Sequence, residues 1–169
     1  PYGVAKAFCL HTGRIYRESY QLFVCNGILY NHESPRRGEN FVSQKIVRGA
    51  ASIAQGKSNY LELGNLDIER DWGYAPDYVL GMWMMLQQEI PSDYILATGT
   101  TYKLSEFLET AFLYFDLDYK KYVRVNEKFM RPNEPQRLCG DSSKAQKNLN
   151  WKPTLSFSEL IHKMCKAAK

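Results

Sequence analysis

Several common functional signatures are missing from this sequence of 169 residues. No apolar run approaches the roughly 18 residues that cross a bilayer, so no membrane span is expected. The four cysteines, Cys9, Cys25, Cys139 and Cys165, form no C-x-x-C pair and have no metal-ligand spacing. They read as reduced thiols of a cytoplasmic protein. The three histidines lie too far apart in sequence for a zinc site, and no metal is expected. Basic residues barely exceed acidic ones, 22 against 18 for a net charge of +4. No Lys/Arg block interleaves with aromatics, which argues against a nucleic-acid partner. The first residues carry no basic segment followed by an apolar run, so no leader is visible. Pro1 stands where a Met would open a chain, which reads as a removed segment or an incomplete sequence. No repeat or low-complexity stretch occurs. A Gly-rich strand–turn–helix of the dinucleotide or P-loop kind is also absent, since Gly3, Gly13 and Gly27 stand alone.

What is present is an ordinary globular composition, 44% hydrophobic and 24% charged, which excludes a disordered tail. Its pattern alternates helices with short strands and predicts an α/β architecture. Val4, Phe8, Ile15 and Tyr20 fall near a helical period and predict a helix over 1–20. Leu22–Cys25 reads as a buried strand, and 31–40 as a polar loop. Further helices are expected over about 41–55, 76–88, 105–115, 142–149 and 156–166, the last opened by a Ser156/Glu159 capping box. Further strands are expected at 60–63, 94–97 and 122–125, with Arg70–Gly73 a turn. The apolar content of 76–88 predicts burial on more than one side. Trp72 and Trp151 are expected as packing anchors, and Met82, Met84 and Met85 as core filler.

Two stretches concentrate reactive groups. Tyr2 and Lys6 are four residues apart at the head of a helix and share a face. An ammonium beside a phenol favours the phenolate, which is how a tyrosine serves as a general base near neutral pH. The same spacing also fits a plain surface contact. Asn31-His32-Glu33-Ser34-Pro35-Arg36-Arg37-Gly38 follows a strand, where α/β sheets place ligand-binding loops. Its arginine forks suit phosphate oxygens, although a solvated polar loop would have the same composition. Arg70 and Arg131 are further candidates for a phosphate, or for a surface ion pair.

Taken in order, these residues carry a resemblance. Tyr2-Gly3-Val4-Ala5-Lys6 is followed by Tyr16–Tyr20, then by Asn26–Glu39 with its Asn-His-Glu-Ser-Pro-Arg-Arg-Gly run. Leu63–Asp67, Arg70–Gly73, Arg131–Glu134 and Asn150–Pro153 complete the series. The chain resembles the C-terminal half of the GDP-mannose 4,6-dehydratase family, within the extended short-chain dehydrogenase/reductases, over essentially all its length. It departs from the family pattern at Cys9–Arg14 and Pro135–Arg137.

The resemblance implies the C-terminal part of a Rossmann fold plus a smaller α/β substrate-binding domain. Residues 1–30 would be mainly the tail of the cofactor domain, with 31–169 interleaving further Rossmann elements with the substrate domain. It implies conversion of GDP-mannose to GDP-4-keto-6-deoxymannose with tightly bound NADP, towards GDP-fucose or GDP-rhamnose. Tyr2 would take the proton of the sugar 4-hydroxyl, and Lys6 would support the phenolate and hold the nicotinamide ribose. His32 and Arg37 match cofactor-binding positions. Asn31, Val42, Lys45, Gly64, Asn65, Arg70, Arg131 and Glu134 match positions that bind the GDP-sugar. A homodimer or homotetramer is implied for the intact enzyme. The family's phosphate loop and catalytic Thr and Glu lie upstream of the tyrosine, so this half alone is expected to be inactive. A sister epimerase or reductase and a non-catalytic GDP-sugar-binding remnant are the alternatives.

Overall fold

A computed structural model describes residues 1–169. Seven α-helices and nine short strands alternate along the chain. Helix α1 (Tyr2–Tyr20) ends at Gln21, whose φ of 55° turns the chain out of the helix. Strand β1 (Gly27–Leu29) pairs in parallel with β6 (Tyr94–Leu96), and β2 (Asn31–Glu33) pairs in parallel with β5 (Trp72–Tyr74). Strand β3 (Leu61–Leu63) pairs in parallel with β8 (Val123–Val125). The remaining sheet has the order β7 (Tyr102–Lys103), β4 (Glu69–Arg70), β9 (Arg137–Leu138). The parallel pairs require crossovers, and helices α2 (Val42–Ala54), α3 (Ala75–Met85) and α4 (Leu104–Leu113) lie within them. The predicted α/β class is therefore present.

The sequence reading misplaces one strand and misses others. Leu22–Cys25 is irregular, and the strand begins at Gly27, because the Asn26 carbonyl and the residues after it meet the Tyr94 segment. The expected 31–40 loop starts as β2, and the expected 70–73 turn becomes parts of β4 and β5. Polar side chains in both segments hid a pairing made by backbone groups.

The larger core joins α2, α4 and α7 (Phe157–Ala168) to β3 and β5 through Ile46, Val47, Phe107, Phe112, Leu160 and Ile161. The smaller core joins α3, β6 and α6 (Ser143–Leu149) around Tyr78, Leu96 and Trp151. Trp72 and Trp151 are anchors as expected, and Trp151 Nε1 donates to the Asp77 carbonyl at 2.6 Å. Gly81 allows α3 to approach β6, since a Cβ there would lie 2.6 Å from Leu96. Helix α3 buries Tyr78, Gly81 and Met85 but leaves Val79, Leu80, Met82, Trp83 and Leu86 exposed, so it is covered on one side only. Met85 fills the core; Met82 does not.

Side-chain oxygens accept backbone N–H groups at the starts of α7, α4 and α6. Ser156 and Glu159 form the expected capping box on α7. Helix α4 begins before Ser105, with Glu106 accepting from the Lys103 N–H at 2.6 Å. At α6 it is Asp141 that accepts from the Ser143 N–H, at 2.9 Å. All four cysteines are free thiols, and burial, against a weaker opposing pull from Lys169, pushes Cys165 up to about 12. No helix is long and apolar enough to cross a membrane.

Candidate functional site

The candidate residues fall into three groups on three parts of the fold. The first is the head of α1. Tyr2 is 76% exposed, and the Lys6 Nζ lies 5.5 Å from its ring centroid. The pair is together, as its spacing predicts, but neither side chain hydrogen-bonds another candidate residue. Helix α1 buries no side chain. It is held instead by polar contacts at its far end. Arg14 and Arg17 each reach Asp93 at 2.8 Å, and Asn26 bridges the Leu10 carbonyl and Asp93. Burial alone would push the Asp93 carboxyl up, but Arg17, Arg14 and Asn26 together hold it well below the usual carboxylate range.

The second group is β2 and the turn after it. Asn31 and His32 are half-buried strand residues. His32 Nδ1 lies 2.7 Å from the Tyr30 carbonyl, and its ring stacks on Tyr78 at 5.1 Å. Arg37 lies in the turn with its guanidinium 3.6 Å from the centre of the Phe41 ring. Its Nε is 3.2 Å from Glu33 Oε2. Glu33 is buried, and the Ser43 hydroxyl donates to the same oxygen at 2.6 Å. Burial raises the Glu33 pKa, against the pull of Ser43, Arg37 and His32. Arg36 is exposed.

The third group lines the side of the body where α2, β3 and β4 meet the 126–138 segment. Val42 opens α2 and is exposed. Lys45 Nζ donates to the Glu62 carbonyl at 2.7 Å and lies 4.1 Å from the Phe129 ring centre. Burial lowers the Lys45 pKa, with Glu62 opposing and Lys128 adding to the shift. Gly64 must lack a side chain, because a Cβ would lie 2.6 Å from the Phe129 carbonyl oxygen. Asn65 turns the backbone by accepting from the Asp67 N–H at 2.9 Å. Arg70 is buried on β4 and clamps the 134–135 segment. Its Nη2 meets Glu134 at 3.0 Å, and its Nη1 meets the carbonyls of Pro135 and Glu69 at 2.9 and 2.8 Å. Arg131 is exposed. Lys45 and Gly64 thus share Phe129, and Arg70 and Glu134 share an ion pair. Arg70 is tied up inside the chain here rather than offering a free fork.

Sequence reasoning missed the supporting residues. Glu33 was visible only as one polar residue of a loop, although its spacing of four to Arg37 is the available signal. Asp71 is fully buried and accepts from Thr98, Gly99 and Gly140, tying β6's end to the segment before α6. Nothing in its neighbours' sequence marks that role. A cavity of about 480 Å³ lies between α1 and β6, lined by Arg14, Arg17, Asp93 and Lys144 among others, and no candidate residue reaches it.

The sequence and the fold both have known relatives. A family model described as GDP-mannose 4,6 dehydratase matches residues 1–164. The GDP-mannose 4,6 dehydratase of Drosophila melanogaster is 48% identical over 99% of this chain and 47% of its own length. GDP-mannose 4,6 dehydratase 2 of Arabidopsis thaliana is 49% identical over 97% and 44%. The human GDP-mannose 4,6 dehydratase is 44% identical over 99% and 50%. The chain therefore spans about half the length of the curated relatives it matches. Among solved structures, a Bacillus anthracis dTDP-glucose 4,6-dehydratase in complex with NAD superposes with a TM-score of 0.86 at 18% identity, over 99% of this chain and 51% of its own. RMD from Pseudomonas aeruginosa complexed with NADPH gives 0.81 at 20% identity, over 97% and 52%. At such identities the likeness establishes a shared fold.

Proposed function

The chain belongs to the GDP-mannose 4,6-dehydratase family, and on that premise we propose that it supplies part of the catalytic machinery of a GDP-mannose 4,6-dehydratase. The observation that carries the reading is the Tyr2–Lys6 pair on one face of α1, together with the Arg37 turn after β2. Tyr2 is the general base for the sugar 4-hydroxyl proton, and the Lys6 ammonium supports negative charge on the phenol oxygen. Residues 1–30 and β6 belong to the cofactor domain, and much of the remainder to the substrate domain.

The cofactor in this reading is NADP. His32 and Arg37 would hold it, and the donor set fits: an arginine anchored on one side by a carboxylate and an aromatic ring keeps its outer nitrogens for a phosphate. When bound, NADP supplies the hydride acceptance and return that leave the reaction redox-neutral. The GDP-sugar is met by Asn31, Val42, Lys45, Gly64, Asn65, Arg70, Arg131 and Glu134. For Arg70 and Glu134 this requires their ion pair to open or to be shared with the ligand. Lys45, drawn out of water against Phe129, offers a cation poised to be exchanged onto an anionic ligand.

The cofactor domain is completed by residues outside this chain. Support comes from the half-length match to the relatives, from β1, whose sole strand partner is β6, and from the uncovered faces of α1 and α3. The test is to join the chain behind the portion of the Drosophila relative that it does not cover and to incubate the fusion with GDP-mannose and NADP. Mass analysis should show a nucleotide-sugar product lighter by one water. A new nucleotide sugar of unchanged mass, separated from GDP-mannose by chromatography, would point to a sister epimerase, and recovery of GDP-mannose alone to a binding role.

A further inference from the structure

The turn between β2 and α2 contains a buried carboxylate that the proposed chemistry does not use. Glu33 is 1% exposed, a costly place for an acid unless it is paired and hydrogen-bonded. Its Oε2 receives two groups, the Ser43 hydroxyl at 2.6 Å and the Arg37 Nε at 3.2 Å. The Arg37 Nε–H does not lie along the line to Glu33 and finds no linear hydrogen-bond partner, so the contact is a close ion pair. The guanidinium is pinned on its flat side by the Phe41 ring at 3.6 Å.

Glu33 also stands at the head of α2. That helix starts at Val42 with no side-chain cap from Phe41, its N-cap residue. A carboxylate bonded to a first-turn serine puts negative charge near the positive end of the helix. One carboxylate therefore joins three pieces: β2, which carries His32; the turn, which carries Arg37; and α2, which carries Lys45. Arg37 is left with its base end fixed, and neither terminal nitrogen hydrogen-bonds within the chain.

We propose that Glu33 is the positioning residue of the Arg37 turn: with Ser43 and Phe41 it fixes the guanidinium so that its outer nitrogens are preset for a phosphate group of the cofactor. The inference rests on the reading of this turn as cofactor-facing. Presetting matters because an arginine side chain free to rotate must lose rotamer entropy on binding, and a preorganised one loses less.

The test uses the fusion with Drosophila sequence, which completes the cofactor domain, and two readouts that a purely structural acid would not move together. The first is the NMR resonance of the Arg37 Nε–H, shifted by the Phe41 ring while the side chain is held there. Glu33→Gln keeps the size and a hydrogen bond to Ser43 but removes the charge. The Arg37 resonance should then move towards the free-arginine position, while that of Arg36 stays put. The second is titration with NADPH, followed at the same resonance. Glu33→Gln should weaken the apparent affinity by roughly tenfold, the scale of one charge-assisted hydrogen bond. It should add nothing further in an Arg37→Gln background, where binding is followed by NADPH fluorescence.

Should Glu33→Gln fail to fold, Ser43→Ala loosens the same carboxylate without removing its charge and should give a smaller shift in the same sense. If neither variant moves the Arg37 resonance, the positioning role is overturned. If both move it but leave NADPH affinity unchanged while Arg37→Gln weakens it, positioning for the cofactor is overturned and the cofactor-facing reading of Arg37 stands. If NADPH binds the parent fusion but leaves Arg37 unperturbed, that reading itself fails and takes the proposal with it.

Discussion

Helices α1 and α2 both carry candidate residues, yet they are built in opposite ways. Helix α2 buries Ser43, Gln44, Ile46, Val47, Ala50, Ala51 and Ile53 along its 13 residues, and its packing fixes Lys45 and the Arg37 turn. Helix α1 is longer, at 19 residues, and buries none. Its apolar side chains, Phe8 among them, face outward, and its attachment is the Asp93 cluster. Packing makes α2 a finished element. A polar clamp alone makes α1 a positioned but uncovered one. The proposed substrate-side residues therefore stand on structure that the chain completes by itself. The proposed base, Tyr2, stands on structure that it does not.

The sharpest way to break this contrast is to cut into each side. Phe107→Ala removes a fully buried ring that packs on Trp72 and Phe157. It should cost about 3–5 kcal/mol by denaturant unfolding, the usual range for a large-to-small change in a core. Asp93→Asn should act locally, releasing α1 with a loss of about 1–3 kcal/mol, the scale of hydrogen bonds to a charged group. Hydrogen exchange should then speed up in α1 and stay slow in α4 and α7. Phe8→Ala, at a ring 70% exposed, should stay within about 0.5 kcal/mol of the parent. A Phe8 effect as large as that of Phe107 would erase the distinction.

Acid and base should separate the two regions as well. The Asp93 pKa is held low in the fold, so its contribution is present above the unfolded carboxylate pKa and is lost as pH falls through the folded one. Exchange protection of α1 should thus fade first on acidification. The Glu33 pKa is raised by burial, so the folded form binds a proton over a range where the unfolded form has lost it. Its contribution should decline as pH rises from the ordinary glutamate value to the folded one, and Glu33→Gln should flatten that slope. A parent and variant with the same slope would contradict the assignment.

How much of this was legible beforehand follows from where the information sits. The helices of the body are readable because Ile46, Val47 and Ala50, then Leu104, Phe107, Leu108 and Ala111, then Leu160, Ile161 and Met164 repeat at helical spacing, and the α7 cap because Ser156 and Glu159 announce it. Val4, Phe8, Ile15 and Tyr20 place helix α1 correctly, and the fold leaves all four exposed. Periodicity shows which residues seek cover and is silent on whether this chain provides it. Among the missed strands, β2 and β5 pair through backbone groups while their side chains are mostly polar or aromatic, so alternation could not reveal them. At the site, spacing gave Tyr2–Lys6, composition raised the 31–38 stretch, Arg70 and Arg131, and the family resemblance gave the remaining candidates. The Glu33–Ser43–Arg37 and Arg70–Glu134 pairings needed the fold, because each joins segments that the sequence keeps apart or hides in a loop.

The central claim is that an exposed tyrosine at the head of an uncovered helix becomes the base of a dehydration once the rest of the enzyme is supplied. It is tested most directly by comparing GDP-mannose turnover of the fusion with Drosophila sequence and of its Tyr2→Phe variant, with the melting temperature of each measured alongside. The predicted result is a loss of turnover by about 100-fold or more, the range for removing a general base, with an unchanged melting temperature because the substitution keeps the ring and removes one hydroxyl. Turnover that survives Tyr2→Phe unchanged would contradict the account.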